Sequence, residues 1–188
     1  MTPRKTKLAI AAAIMTAAIA FPLTAQAQQA RNFFERAPRI VDSFASNRTV
    51  SSASRISYSF DLSIPEDAGA PLQQVAIAQL NGESDAREIE YELEKTQAFV
   101  GKHRRRDDEL PLSDVSFNGD TDTITLTFDT PVLPGTDLTI RLRPDRNPRR
   151  EGTYQFGVTA FPTGEDARGL FLGFGRLQFF DRGSRAFR

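Results

Sequence analysis

The sequence predicts an all-β fold, an antiparallel β-sandwich, and three observations predict it. Short segments repeatedly alternate apolar and polar residues, clusters of proline and glycine separate them, and no long amphipathic helix interrupts the pattern. Seven or eight such strands fit a sandwich that is immunoglobulin-like in general architecture, with a closed barrel as the alternative. The 188 residues include no cysteine and no tryptophan, so the disulfide and buried tryptophan of antibody domains are both absent. That length suits one domain with a substantial core.

The elements follow in order. Residues 28–37 read as a flexible N-terminal segment, 38–181 as the sandwich and 182–188 as a basic tail. A short first strand is expected around Ile40, Val41 and Phe44. In "RISYSFDLSIP", Ile56, Tyr58, Phe60, Leu62 and Ile64 fall on one side and Ser57, Ser59, Asp61 and Ser63 on the other, which puts the first set in a core and the second in water. "PEDAGAP" closes that strand with Pro65, Gly69 and Pro71. "LQQVAIAQL" directs Val75 and Ile77 to one side and ends at Asn81-Gly82. "REIEYELEK" places Ile89, Tyr91 and Leu93 at period two, while Ile89 and Leu93 alone also suit a helix; Tyr91 and the β-rich surroundings favour a strand.

Further along, "DTITLTFDT" sets Ile124, Leu126 and Phe128 against Thr123, Thr125 and Thr127. After the break "PVLPG", "TDLTIRLRP" points Leu138, Ile140 and Leu142 inward and Thr139, Arg141 and Arg143 outward. "GTYQFGVTAFP" gives Tyr154, Phe156, Val158 and Ala160 one face. The last strand, "LFLGFGRLQFF", carries Phe171, Phe174, Phe179 and Phe180, more aromatic surface than one strand face uses. These rings are expected to fill both sides of a core or to lean on the N-terminal segment; joint exposure would instead mark a partner or membrane-surface contact.

The first residues give the chain an address. Arg4, Lys5 and Lys7 precede an apolar stretch from Leu8 to Leu23, and Ala25 and Ala27 flank Gln26. This is the order of a secretory signal peptide, residues 1–27, cleaved after Ala27. Retention as a membrane anchor is the alternative, disfavoured by the alanine-rich composition and Pro22. Cleavage removes three basic and no acidic side chains from the 24 of each sign, leaving a formal balance of −3. The mature chain has no second hydrophobic span, and its acidic balance argues against nucleic acid as a partner. An exported, periplasmic or extracellular location follows.

The segments "IPEDAGAPLQQVAIAQ", "TQAFVG", "PVLPGTDLTIRLRPDRNP" and "GTYQFGVTAFPTGEDARGLFLGFGRL" together resemble the secreted cyanobacterial proteins grouped as domain of unknown function 2808 (DUF2808). The resemblance spans roughly residues 38–180. It implies an exported domain of photosynthetic bacteria and implies no activity, cofactor or functional residue.

Composition excludes several chemistries. Both methionines lie in the signal peptide and His103 is the single histidine, so the mature chain offers a copper or zinc site no thiolate, no thioether and one imidazole. A cysteine nucleophile is impossible, and a serine triad would have to use His103, whose arginine neighbours in "GKHRRRDDE" disfavour the imidazolium it would become. His103 therefore reads as a solvated loop residue. Carboxylate pairs for glycoside hydrolysis cannot be chosen from sequence; Glu66/Asp67, Asp107/Asp108/Glu109 and Glu165/Asp166 all fall in predicted loops. No cofactor is expected.

Two candidate binding features remain. "DVSFNGDTD" places Asp114, Ser116, Asn118, Asp120 and Asp122, with Gly119 between them, at positions like those of a calcium loop. The twelfth position is Thr125 where a bidentate glutamate belongs, so a hairpin turning at Asn118-Gly119 is favoured. The second feature is Arg141, Arg143, Arg146, Arg149 and Arg150, whose guanidinium forks could hold carboxylates, sulfates or phosphates. The bland reading, which is favoured, is two arginines on a solvated strand face and three on a turn stiffened by Pro144 and Pro148. The expected function is an exported, non-catalytic binding or structural component of the cell envelope, its partner a polysaccharide or a protein there. The alternatives are an anionic-polymer module using the five arginines and a carboxylate-dependent envelope hydrolase.

Overall fold

The computed structural model describes residues 32–81, 89–102, 105–181 and 183. The predicted signal peptide, His103 and nearly all of the basic tail lie outside the described residues. Ten strands are present among those described: β1 (Arg39–Ala45), β2 (Tyr58–Ser63), β3 (Leu72–Asn81), β4 (Gln97–Lys102), β5 (Arg105–Leu110), β6 (Leu112–Asn118), β7 (Thr123–Val132), β8 (Asp137–Leu142), β9 (Gly152–Pro162) and β10 (Leu170–Phe179). They form two five-stranded sheets, ordered β1-β2-β8-β4-β5 and β10-β9-β3-β7-β6, with every pairing antiparallel. No helix among the described residues is long and apolar enough to cross a membrane.

The alternating residues meet between the sheets as their spacing requires. Tyr58, Phe60 and Leu62 of β2 and Leu138, Ile140 and Leu142 of β8 face Val75, Ile77, Ile124, Leu126, Phe128, Phe156 and Val158 of the other sheet, all buried. Tilted and edge-on ring contacts link Tyr58 to Phe156 and Phe179, Phe60 to Phe156, and Tyr154 to Phe179, with centroids 5.5–6.0 Å apart. Burial of this apolar layer drives the two sheets together.

On one side the sheets are sewn at their edges. The Ser43 hydroxyl of β1 donates to the Arg176 carbonyl of β10 at 3.0 Å and accepts from the Arg176 amide at 2.9 Å. Next to this seam, Gly175 faces the core so closely that a Cβ there would stand 2.7 Å from the Phe60 ring.

Several expectations need correction. "REIEYELEK" does not form a strand where it is described: Tyr91 makes one isolated bridge to Pro144, and Leu93–Lys95 is a 3-10 turn. The charged stretch around Asp107, Asp108 and Glu109 is no loop but edge strand β5, paired to β4. The "PVLPG" break begins late, since β7 runs on through Pro131 to Val132. Ser59, Asp61 and Thr139, expected in water, are buried. Their strands are flanked on both sides, and the register sets Ser59 between Phe44 and Arg141, and Asp61 between Asp42 and Thr139. The Thr139 hydroxyl lies 2.8 Å from Asp61 Oδ1 and 2.8 Å from the Gly101 carbonyl.

Candidate functional site

The arginine-bearing connection between β8 and β9 is held from beneath by the core. Asn147, in the middle of "DRNPRR", is only 2% exposed. Its Oδ1 accepts from the Tyr58 hydroxyl at 2.9 Å, and its Nδ2 donates to the carbonyls of Asn47 and Thr49 at 2.9 and 2.8 Å. The Asn147 amide donates to Ser52 O, and the Ser51 amide donates to Pro148 O. Further along the chain, the Tyr154 hydroxyl donates to the Arg150 carbonyl at 3.1 Å. Burial, then its neighbours Tyr91 and Tyr154, hold the Tyr58 phenol far above its ordinary pKa, so it remains a donor. Pro144 and Pro148 are buried as well.

This frame divides the five arginines. Arg141 lies over the Phe99 ring, 4.8 Å from its centroid, and donates to Gln97 Oε1 at 3.2 Å. Arg143 donates to the Ile56 carbonyl at 3.0 Å. Both are half-buried and committed within the fold. Arg146, Arg149 and Arg150 are exposed on the clamped connection, the last two with further contacts inside the chain. The sequence signal that could have found the clamp is Asn147 itself, a short polar residue between two prolines, but its partners lie about a hundred positions away.

The calcium alternative is spread out. Asp114, Ser116 and Asn118 lie along strand β6, so Asp114 and Asn118 stand about 13 Å apart, too far to share one ion. Asn118 Oδ1 instead accepts from the amides of Asp120 and Thr121 at 2.9 and 3.3 Å. The hairpin between β6 and β7 is present, with four connecting residues, Gly119–Asp122, where a two-residue turn at Asn118-Gly119 was expected. Among the described residues no group of three or more His, Cys, Asp or Glu side chains is placed to hold a metal.

The last strand carries the exposed apolar surface. Phe179 fills the core, but Phe171 and Phe174 are 52% and 45% exposed and touch edge-on with centroids 5.2 Å apart. Leu80 is 46% exposed. Gly157 makes a slot for these groups: a Cβ there would stand 2.5 Å from Leu80 Cδ1 and 3.1 Å from Phe171 Cε2. Phe174 lies opposite Gly157 in the register. The four residues form one apolar patch on the outer face of β3, β9 and β10.

The family model for proteins of unknown function DUF2808 matches residues 31–179, covering both sheets, the clamp and the patch. The chain belongs to the DUF2808 family. No curated protein matches this DUF2808 chain by sequence. Solved structures with a similar strand arrangement include the C-terminal fragment of the major pilin of Streptococcus agalactiae, at TM-score 0.47 and 8% identity over 77% of this chain and 56% of that one. The C-terminal domain of the Streptococcus pyogenes antigen I/II-family protein AspA matches at 0.43 and 14%, over 68% and 40%. The collagen-binding domain of a Staphylococcus aureus adhesin matches at 0.38 and 8%, over 79% and 97%. This DUF2808 chain thus spans about half the length of the first two.

Proposed function

We propose that this DUF2808 chain is an exported, non-catalytic component of the cell envelope that docks through the outer face of β3, β9 and β10. One observation carries the reading: Leu80, Phe171 and Phe174 are exposed together on one sheet face, around a glycine that leaves room for them. Apolar groups gathered in this way lose water only when another surface covers them. The face fits an envelope protein better than a charged polymer, because its centre is aromatic and aliphatic. The test is recovery of the tagged mature protein from its native envelope beside the variant Phe171→Ser plus Phe174→Ser. An identified envelope protein should accompany the first and not the second; equal recovery with both overturns the reading.

A second reading rests on a separate observation. Arg146, Arg149 and Arg150 are exposed on a connection that Tyr58, Asn147 and Tyr154 hold rigid, which lowers the entropy cost of gripping an anion. Retention on a sulfated or uronic-acid polymer, lost on adding salt and in Arg146→Ala plus Arg149→Ala, supports it. Retention unchanged in that double variant sinks it.

A further inference from the structure

Beside β6, the segment before the 3-10 turn and the β6–β7 hairpin enclose a cleft. Its volume is about 350 Å³, and Ile89, Glu90, Tyr91, Leu93, Phe117 and Asp122 line it with Gly119. That lies at the small end of ligand sites, room for one or two sugar rings rather than a folded partner.

The walls are two aromatic rings. Tyr91 is half-buried and packs against the core, while Phe117 projects from β6 and is exposed; their centroids are 6.3 Å apart and the planes tilted by 47°. Tyr91 is fixed further by its bridge to Pro144 and by two flanking bonds, Glu92 N to Arg143 O and Asp145 N to Glu90 O, both 2.8 Å. Glu90 and Asp122 supply carboxylates to the same cleft. Burial, then the Asp122 carboxylate, raises the Tyr91 phenol above its ordinary pKa, so its hydroxyl stays protonated.

We infer that this cleft binds a neutral sugar ring of an oligosaccharide, its apolar face against Phe117 and Tyr91 and its hydroxyls toward Glu90, Asp122 and the Tyr91 phenol. A flat apolar body fringed with hydroxyl donors matches an aromatic wall edged with carboxylate acceptors. Uronic acids and sulfated sugars are disfavoured by the same carboxylates. The site is independent of the docking face.

The chain provides its own reporter. It has three tyrosines and no tryptophan, and Tyr58 and Tyr154 are buried in the core, leaving Tyr91 as the tyrosine at a cleft. The mature protein is titrated with neutral hexasaccharides of glucose, mannose, xylose and N-acetylglucosamine, following tyrosine emission and heat. At least one should bind saturably with a change in emission, and Phe117→Ala should weaken it about tenfold. Gly119→Leu should also block it without touching the core, since a Cβ at Gly119 meets only Phe117 Cε1, at 3.8 Å. Both variants should keep the circular dichroism of the parent. The inference is overturned if no neutral hexasaccharide binds, if binding survives in both variants, or if only a lysine peptide or an oligouronate binds. Phe171→Ser plus Phe174→Ser should bind the sugar normally, so the two proposals fail separately. Cleavage of a bound sugar would support occupancy of the cleft and overturn the non-catalytic reading.

Discussion

The Tyr58 hydroxyl donates to Asn147 Oδ1 at 2.9 Å, joining a core strand to the middle of the arginine-bearing connection. Neither group can reach water, because Tyr58 is fully buried and Asn147 nearly so. The bond therefore matters more through what its loss would leave unpaired than through its own strength.

Asn147→Ala should cost about 1–3 kcal/mol, since it orphans the Tyr58 hydroxyl and takes a donor from the carbonyls of Asn47 and Thr49. Tyr58→Phe should cost less, about 1 kcal/mol, because only Asn147 Oδ1 loses its donor. Urea unfolding checks both: the midpoint should fall with an unchanged slope. The double variant should be less destabilised than the sum, because the pair shares one bond.

Alkaline stability follows from the same tyrosine. The folded Tyr58 phenol holds its proton well above the ordinary value near 10, chiefly through burial, and Tyr91 is raised in the same sense. Below pH about 10 the folded and unfolded states are both protonated at these sites, so their full contribution to stability is present. As pH rises past that value the unfolded chain releases protons that the folded chain keeps, and stability falls. Tyrosinate absorbance from Tyr58 should therefore appear only with unfolding, and Tyr58→Phe should flatten the alkaline loss. Ionisation of all three tyrosines in the folded protein would contradict this.

Gly175→Ala tests how the sandwich closes. The new methyl would meet Phe60 Cε1 at 2.7 Å and Ser43 Cβ at 3.2 Å, where β10 lies against β1 and β2. The expected cost is about 1–3 kcal/mol, read from thermal or urea unfolding. Gly183→Ala, with nothing within 4 Å, should change little.

Much of the fold was legible because period-two alternation survives wherever one face of a strand meets a core. Val75 and Ile77 in β3, Ile124, Leu126 and Phe128 in β7, and Leu138, Ile140 and Leu142 in β8 are all buried as their spacing requires. Edge strand β5 was hidden because its contact with the core falls on Leu110 at its end, while the residues before it are charged and read as loop. The burial of Asp61 and Ser59 was hidden because alternation reports which face a residue takes, while cross-strand neighbours decide how much water reaches that face. The clamp was illegible for a different reason. Asn147 gains its role from Asn47, Thr49 and Tyr58, and no local pattern encodes contacts across so much chain.

Export makes a further prediction. Expressed in a secreting bacterial host, the protein should accumulate outside the cytoplasm with Gln28 as its first residue, as read by intact mass. A mature product still carrying residues 1–27 would favour the anchor.

The docking face is tested most directly by hydroxyl-radical footprinting of the mature protein, free and on its native envelope. Oxidation of Leu80, Phe171 and Phe174 should be high in the free protein and fall sharply on the envelope, while buried Phe60 stays unreactive in both. Unchanged oxidation of those three side chains on the envelope would contradict the account.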